Sequence, residues 1–372
     1  VIDLTTGWNL LAGFEVVLFS SYTALTYKHS RKQKRDDVLF KLPHTTFVIP
    51  MYNEEDVIKE KIENTAKLNY PRDKLEIVVL NDYSTDNSVE IATNALKLIP
   101  FESSILNNRH KKGKANALNF IFKHIPNEIT VITDADALLK KDSVTQIIKN
   151  FEDVSVGGAT GKIIILSDKI NMSKKQEESY RFFFDIWRTG ESNLHSVTVC
   201  NGPLAAFRTK LLQQIEVNPN TYADDSDILF RIIQLGYRVL YEPKAIVYER
   251  APKTIKGRLL QKMRRINGLK GVYKSNLNLL GKGTFGKILY PYALLTHIIS
   301  PAIVLLLIAA YPFIIMQHPI YLIFVLSPFI PKIGSTIVSF MLTQFIMNFS
   351  FLLPKTGSWE SISDARYEVE EK

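Results

Sequence analysis

Residues 8–27 (WNLLAGFEVVLFSSYTALTY) are uncharged at every position but one, Glu15. A run of about 20 such residues matches the length an α-helix needs to cross the hydrocarbon of a bilayer, so the pattern predicts a membrane helix. Lys28, Arg31, Lys32, Lys34 and Arg35 follow directly. In a cleaved signal peptide the basic residues precede the apolar run. Here they follow it, which predicts a retained helix with its basic end on the cytoplasmic side. The first residue, Val1, is not an initiator Met, and the natural chain is expected to begin earlier.

A second apolar region, 286–353, carries only Lys287 and Lys332 as charges. It has room for two spans, or three tight ones. Ile288–Met316 is expected as one span, kinked at Pro301, because proline lacks the N–H that a helix interior uses. After Pro319 the pattern fits one long tilted span, or a short re-entrant piece followed by a span over Ile333–Leu353.

Between these regions the periodicity alternates. Thr46–Ile49 reads as a short strand closed by Pro50, Leu75–Leu80 as a strand buried on both faces, and Thr130–Thr133 as a third strand. Helical spacing predicts helices over Glu54–Leu68, Asp86–Leu98, Lys114–Ile125 and Asp142–Phe151, with Ser84 available to cap the second. Strand-helix alternation of this kind builds an open α/β sheet, and ligands bind such sheets beyond the carboxyl ends of the strands. Three polar clusters fall there: Tyr52-Asn53-Glu54, Asn81-Asp82 and Asp134-Ala135-Asp136.

Composition sharpens this division. A mean hydropathy of zero is the average of a polar domain and apolar spans. The expected segments are a membrane helix at 1–27, a globular domain at 28–243, a basic amphipathic segment at 244–285, two or three membrane helices at 286–353 and an acidic tail at 354–372. The net charge of +9 is concentrated beside the membrane, since 244–287 holds 12 Lys and Arg against one acid, Glu249. Anionic lipid headgroups and phosphate-bearing ligands fit this charge. Nucleic acid is not an expected partner, because no nucleic-acid motif accompanies it. The lone cysteine, Cys200, excludes a disulfide scaffold.

Several clusters carry chemistry. Asp134 and Asp136, two apart at a strand end, can share a divalent cation and the diphosphate it neutralises. Asp224-Asp225-Ser226-Asp227 opens a helix read over Ile228–Leu235. Acids there serve as caps and dipole partners, or their repulsion raises one pKa and makes a general base. Lys111-Lys112-Gly113-Lys114 precedes a helix and suits phosphate binding or a basic surface loop; it lacks the P-loop pattern. Gln261-Lys262-Met263-Arg264-Arg265 lies in a run, Ile255–Tyr273, that reads as an amphipathic interfacial helix, and its paired arginines could also clamp a pyrophosphate. Tyr180–Ser192 is an aromatic amphipathic stretch, a packing face or a membrane contact.

In order along the chain, VIPMYNE (48–54), VVLNDYSTDNS (78–88), KKGKANALN (111–119), ITDADA (132–137), NGPLAAFR (201–208), ADDSDILFRI (223–232) and QKMRR (261–265) resemble the motifs of family 2 of the inverting glycosyltransferases. The similarity is to the membrane branch that includes cellulose, chitin, hyaluronan and poly-N-acetylglucosamine synthases, and it runs from about Phe47 to Leu269. It implies an α/β GT-A fold with a Rossmann-like mixed sheet beside the transmembrane helices, a nucleotide-diphosphate sugar donor, UDP-linked, and Mg2+ or Mn2+. By the same resemblance Tyr52, Glu54 and Asp82, with Pro50 beside them, would hold the base and ribose, and Lys114 would lie near the nucleotide. Asp134 and Asp136 would meet the metal and diphosphate, Asp136 more directly. Asp225, with Asp224 beside it, would be the general base. Asn201, Gly202 and Arg208 would line the acceptor site, and Gln261, Arg264 and Arg265 would serve the donor end.

Three departures stand out. Asn81 replaces the first Asp of the family's Asp-Asp-x-Ser, and Asp224 replaces a Glu. Arg265 replaces the Trp of Gln-x-x-Arg-Trp, which in polymerising members helps hold the growing chain. The resemblance therefore implies an integral plasma-membrane enzyme with a cytoplasmic catalytic domain, working with membrane lipids and a carbohydrate or lipid-linked acceptor. It is either a polysaccharide synthase or a transferase of single sugars to a polyprenyl or dolichyl phosphate type of acceptor or a glycolipid. A non-catalytic nucleotide-sugar-binding membrane protein and a nucleotidyltransferase of related fold are the readings of other classes.

Overall fold

Strand β1 (Thr45–Met51) is buried at all seven positions, including Thr45 and Thr46, as expected of a central strand covered on both faces. It runs past Pro50, where the sequence pattern closes it. The carbonyl of Val48 accepts from Thr133 N, so Pro50, two residues on, turns its backbone to the same side. The neighbouring strand β4 (Ile129–Ile132) has already ended there, with Ile132 opposite Val48, and the missing N–H breaks no ladder bond.

The computed structural model describes residues 3–31, 41–166, 172–250, 254–323 and 334–350. Lys32, Lys34 and Arg35, residues 324–333 and the acidic tail lie outside the described residues, while the span expected over Ile333–Leu353 meets a helix at Gly334–Phe349. The described residues within 33–166 and 195–261 form one compact unit, and those within 1–32, 167–194 and 262–354 form another.

The first unit is built on an eight-stranded mixed sheet. Its strands are β1, β2 (Leu75–Asn81), β3 (Glu102–Asn107), β4, β5 (Leu138–Leu139), β6 (Val156–Leu166), β7 (Ala205–Arg208) and β8 (Arg238–Arg250), in the spatial order β3-β2-β1-β4-β7-β6-β8-β5. The run β3-β2-β1-β4 is parallel, β7 is antiparallel to both β4 and β6, and β8 lies parallel to β6. Parallel pairing brings the carboxyl ends of four strands to one edge: Met51, Asn81, Asn107 and Ile132.

Helices α2 (Ile58–Thr65), α3 (Ser88–Leu96), α4 (Lys114–Phe122) and α5 (Ser143–Ile148) fill the crossovers. Phe47, Ile49, Ile77, Val79 and Val131 from the sheet pack with Ile58, Ile62, Ala92, Leu96 and Ile147 from the helices. Each helix is shorter than its periodicity suggests. Glu54 to Val57 form a turn in which the Glu54 carbonyl accepts from both Val57 N and Ile58 N before α2 begins.

The second unit is helical. Helix α1 (Leu4–Ser30) packs along α6 (Met172–Leu194). Tyr22 donates to Glu191, Trp187 donates to Thr23 Oγ1 at 3.1 Å, and Arg188 pairs with Glu191 at 2.9 Å. The aromatic stretch at 180–192 is thus, in its described part, a packing face for α1. Gly190 makes the crossing close, since a Cβ there would stand 2.1 Å from the Thr26 carbonyl oxygen. Glu15, the one charge within the first apolar run, accepts from Ser300 Oγ at 2.7 Å.

Two of the described helices, Leu4–Ser30 and Phe285–Gln317, are long and apolar enough to cross a membrane. The second contains wide π turns at Phe285–Leu289 and Leu295–Ile299. The latter ends two residues before Pro301, where an α-helical ladder would be interrupted.

Candidate active site

The loops beyond β1, β2, β3 and β4 are stitched to one another. After β1, Asn53 has φ +50°. Its N donates to Ser84 Oγ at 3.1 Å and its Oδ1 accepts from Thr85 N at 2.8 Å. Glu54 N donates to Ser88 Oγ at 2.7 Å. Tyr83 also has positive φ, +62°, an uncommon conformation for a bulky residue. Its hydroxyl donates to His110 O at 2.8 Å.

Asp82 is fully buried. Its Oδ1 accepts from Asn108 Nδ2 at 2.6 Å and its Oδ2 from Gly113 N at 2.7 Å. The carboxylate therefore holds the basic loop 108–113 in place, rather than standing open to a base. Gly113 takes φ +127°, which an L side chain rarely adopts, and so delivers Lys114 into the first turn of α4. The same loop lays Lys112 Nζ 3.8 Å above the centre of the Tyr52 ring, a cation–π contact. Asn81 uses its amide on Asn107 Oδ1 at 2.8 Å.

Lys114 joins the two acid clusters. Its Nζ lies 2.7 Å from Asp134 Oδ1 and 3.3 Å from Asp224 Oδ2. Burial works to lower its pKa, but Asp134, Asp224 and Asp225 together hold it well above the usual lysine range.

Helix α7 (Asp224–Gln234) begins at the acids themselves, four residues earlier than the pattern suggests, and its three acids separate by role. Asp224 meets Lys114. Asp227 Oδ2 accepts from Asn218 N and from Arg231 Nε, at 2.9 and 2.8 Å, and is structural. Asp225 accepts from Ser226 N at 2.7 Å through Oδ1. Burial, then the charge of Asp224, pushes its carboxyl up to about 7 against the pull of Lys114. A carboxylate poised there is matched to proton abstraction near neutrality.

Gly202 lies directly against Asp225. Asn201 is turned away: its Nδ2 donates to Gly161 O at 2.7 Å and its N to Thr160 Oγ1 at 2.8 Å, which fixes the turn that carries Gly202. Arg208 is not brought to the cluster. Antiparallel pairing sets it opposite Ile129, at the far end of β4 from Asp134. There it donates to the carbonyls of Val156, Phe151 and Asp153 at 2.8, 2.8 and 3.1 Å. The expectation that Arg208 lines an acceptor site is corrected by this register.

Asp136 is exposed to solvent on one side and crowded by protein on the others. That crowding, followed by Asp134 and Glu249, pushes its carboxyl up to about 6. A carboxylate whose pKa is raised by a second one nearby marks a place where a cation would relieve repulsion. Among the described residues no group of three or more His, Cys, Asp or Glu side chains is gathered as for a complete metal cage. Two carboxylates suffice for a Mg2+-like ion that shares its shell with phosphate, so the pair fits such an ion together with a diphosphate.

Two residues were not legible as part of this site. Glu249, buried near the end of β8, accepts from Gln261 Nε2 at 3.4 Å. Lys61 lies fully buried under the Asp134–Asp136 loop. A signal for Lys61 existed, because it falls on the apolar stripe Ile58-Ile62-Thr65 of a helix. Gln261 belongs to α8 (Ile255–Ser275); Arg264 and Arg265 follow on the same helix, within the helical unit.

Comparison with known proteins points in one direction. Residues 46–216 match the family model for glycosyl transferase family 2. The poly-β-1,6-N-acetyl-D-glucosamine synthase of Staphylococcus aureus is 26% identical over 249 residues, 66% of this chain and 60% of that protein. The probable glycosyltransferase YdaM of Bacillus subtilis is 26% identical over 62% of this chain and 56% of its own length. The chain thus spans about 60% of the length of the synthases it matches. The backbone also superposes, with a TM-score of 0.78 and 25% identity, on a mannosyltransferase from Pyrobaculum calidifontis solved with GDP-Man and Mn2+, covering 94% of this chain and 99% of that one. The mixed sheet is accordingly GT-A-like. The family match begins on β1 and takes in the strand ends that carry the acid pair, and the region it covers is a glycosyltransferase family 2 domain.

Proposed function

We propose that this protein transfers a single hexosyl residue, with inversion, from a nucleoside-diphosphate sugar to a hydroxyl of a membrane-held acceptor. The observation that carries this reading is the Lys114 bridge. One ammonium ties Asp134, on the donor side, to Asp224, the neighbour of a carboxylate with a pKa near 7.

In the proposed reaction Asp225 takes the proton of the acceptor hydroxyl. The acceptor oxygen forms a bond to the anomeric carbon while the bond from that carbon to the diphosphate oxygen breaks, and the nucleoside diphosphate leaves from the opposite face. Lys114 offsets part of the charge that grows on the diphosphate, an electrostatic contribution that a pre-positioned cation makes without reorganisation. Asp134 and Asp136 would hold Mg2+ or Mn2+, which supplies further positive charge to the leaving group. Tyr52 and Lys112 would flank the nucleotide, with Asp82 acting through the loop it holds. Gln261 would serve the donor end.

The resemblance to polymer synthases favours a UDP-linked donor. The superposition over nearly the whole chain favours GDP-mannose, since the matching protein is a mannosyltransferase with GDP-Man and Mn2+. Arg265, at the place of the family's Trp, supports single transfer over chain growth. The two long apolar helices support a lipid-linked acceptor at the membrane and a cytoplasmic catalytic unit. A donor panel incubated with the full chain in nanodiscs tests this. Release of GDP from GDP-mannose with one mannosylated lipid by mass spectrometry supports the proposal, whereas a ladder of products from a UDP-sugar identifies a polymer synthase. Asp225→Asn should keep donor binding and lose transfer by about 100-fold or more.

A further inference from the structure

We propose that Lys61 is a positioning residue for the donor site: its ammonium, inserted beneath residues 133–137 and hydrogen-bonded at both ends of that loop, sets the spacing of Asp134 and Asp136. This rests on the reading of that acid pair as the holder of the metal and diphosphate.

Lys61 lies on α2 and has no exposed surface. Its Nζ donates to Thr133 Oγ1 at 2.7 Å and to the Ala137 carbonyl. Thr133 is itself anchored, since its N donates to Val48 O at 3.1 Å and its Oγ1 to Pro203 O at 2.8 Å. On the far side, β5 pairs with β8 from Leu138 onward. The acid-bearing loop is therefore a short bridge between two fixed strands, and Lys61 clamps the residue before the first acid to the residue after the second. The Phe47 ring, its centre 5.7 Å from Nζ, closes the other side.

Core packing alone does not call for an amine here. A buried cation costs free energy that an apolar side chain of similar length avoids. Burial pushes the Lys61 amine down to about 7 even though Asp134 and Asp136 pull it up. A methionine would fill the same space. What the lysine adds is two directed hydrogen bonds across the loop, which remain available whether or not the amine is charged.

The test compares wild type, Lys61→Met and Thr133→Val as full chains in detergent. Four quantities are measured: Mn2+ affinity in the presence of GDP or UDP by calorimetry, without turnover; donor KM and kcat; and the melting temperature. The expected result for Lys61→Met is a cooperative melt with Mn2+ affinity weakened about 10-fold or more, the effect usual for lost support of metal ligands. Donor KM should rise and Thr133→Val should fall between the two. Should Lys61→Met not fold, the Thr133→Val affinity decides. Lowered melting temperatures with unchanged Mn2+ affinity would overturn the inference by making the lysine merely structural. Tighter Mn2+ binding would overturn it by making Lys61 a repelling charge. If wild type bound no Mn2+ at all, the donor reading would fall and this inference with it; if wild type binds and both variants bind alike, only the role of Lys61 falls.

Discussion

A Cβ placed on Gly202 would stand 3.1 Å from Oδ2 of Asp225. The acid therefore occupies space that any other residue at 202 would share with it. A contact this close requires the carboxylate to shift by a few tenths of an ångström. Gly202 is not held in the left-handed region, so backbone strain is not the issue. Gly202→Ala should fold normally and bind donor as wild type does, while kcat falls about 10-fold, the scale expected for displacing a reacting group by a fraction of an ångström. Steady-state kinetics with a fixed donor checks this. A lowered donor affinity with unchanged kcat would place Asp225 outside the chemistry.

The pH dependence should follow Asp225. A general base works deprotonated, so kcat/KM should rise with pH through a midpoint near the value of about 7 that burial and Asp224 impose. Asp224→Asn removes the second of those causes. Its acid limb should move to lower pH by roughly half a unit or more, although total activity drops because Lys114 loses a partner. A limb that stays in place or moves up would show that another group titrates.

Much of the donor side is legible in the sequence because parallel strands end where their apolar runs end. Leu75–Leu80 and Thr130–Thr133 stop at polar residues, and those residues converge as expected. What escaped was non-local. Strand β7 reads only as Ala205-Ala206-Phe207-Arg208, and nothing in that string announces that it pairs antiparallel to β4 and carries Arg208 to the wrong end. Strand β3 lies at the edge of the sheet and is half-buried along its middle, and its sequence, Glu102–Asn107, has no apolar run to announce it. Asp82 looked like a ligand-facing acid. Its partners, Asn108 and Gly113, lie 26 and 31 residues away, and only the fold shows that they use both of its oxygens.

Asp225→Asn should make the protein more stable at high pH. The folded-state pKa of Asp225 is raised from 3.8 to about 7, so the folded chain binds this proton more tightly than the unfolded chain. The stability this contributes is fully present below about pH 4 and is lost as pH rises through about 7. At pH 8 the wild type carries an ionised, crowded carboxylate that asparagine avoids. Lys114 compensates part of that cost, which leaves on the order of 1 kcal/mol, or a rise in melting temperature of about 2–4 °C. Thermal denaturation at pH 8 and at pH 4.5 checks this. The difference between variant and wild type should shrink at the lower pH, and a gain of equal size at both would mean that it does not come from ionisation.

Tyr83→Gly should separate strain from function. The left-handed conformation of Tyr83, φ +62°, is one a glycine adopts freely, and relieving it should offer about 1 kcal/mol. Part of that is offset because glycine gains more freedom in the unfolded chain. The tyrosine hydroxyl, however, is bonded to His110 O, and His110 N donates to Asn108 Oδ1 at 2.8 Å, so the ring latches the loop that Asp82 holds from beneath. Without the latch Lys112 and Lys114 should be presented less rigidly. The expected outcome is a melting temperature equal to or above that of wild type together with a donor KM raised several-fold and a smaller fall in kcat, since Lys114 also offsets charge on the departing diphosphate. Measuring nucleoside-diphosphate affinity by calorimetry alongside the melt distinguishes the cases. A destabilised variant with normal affinity would mean that the ring serves packing, and that its backbone conformation is a by-product of the turn after β2.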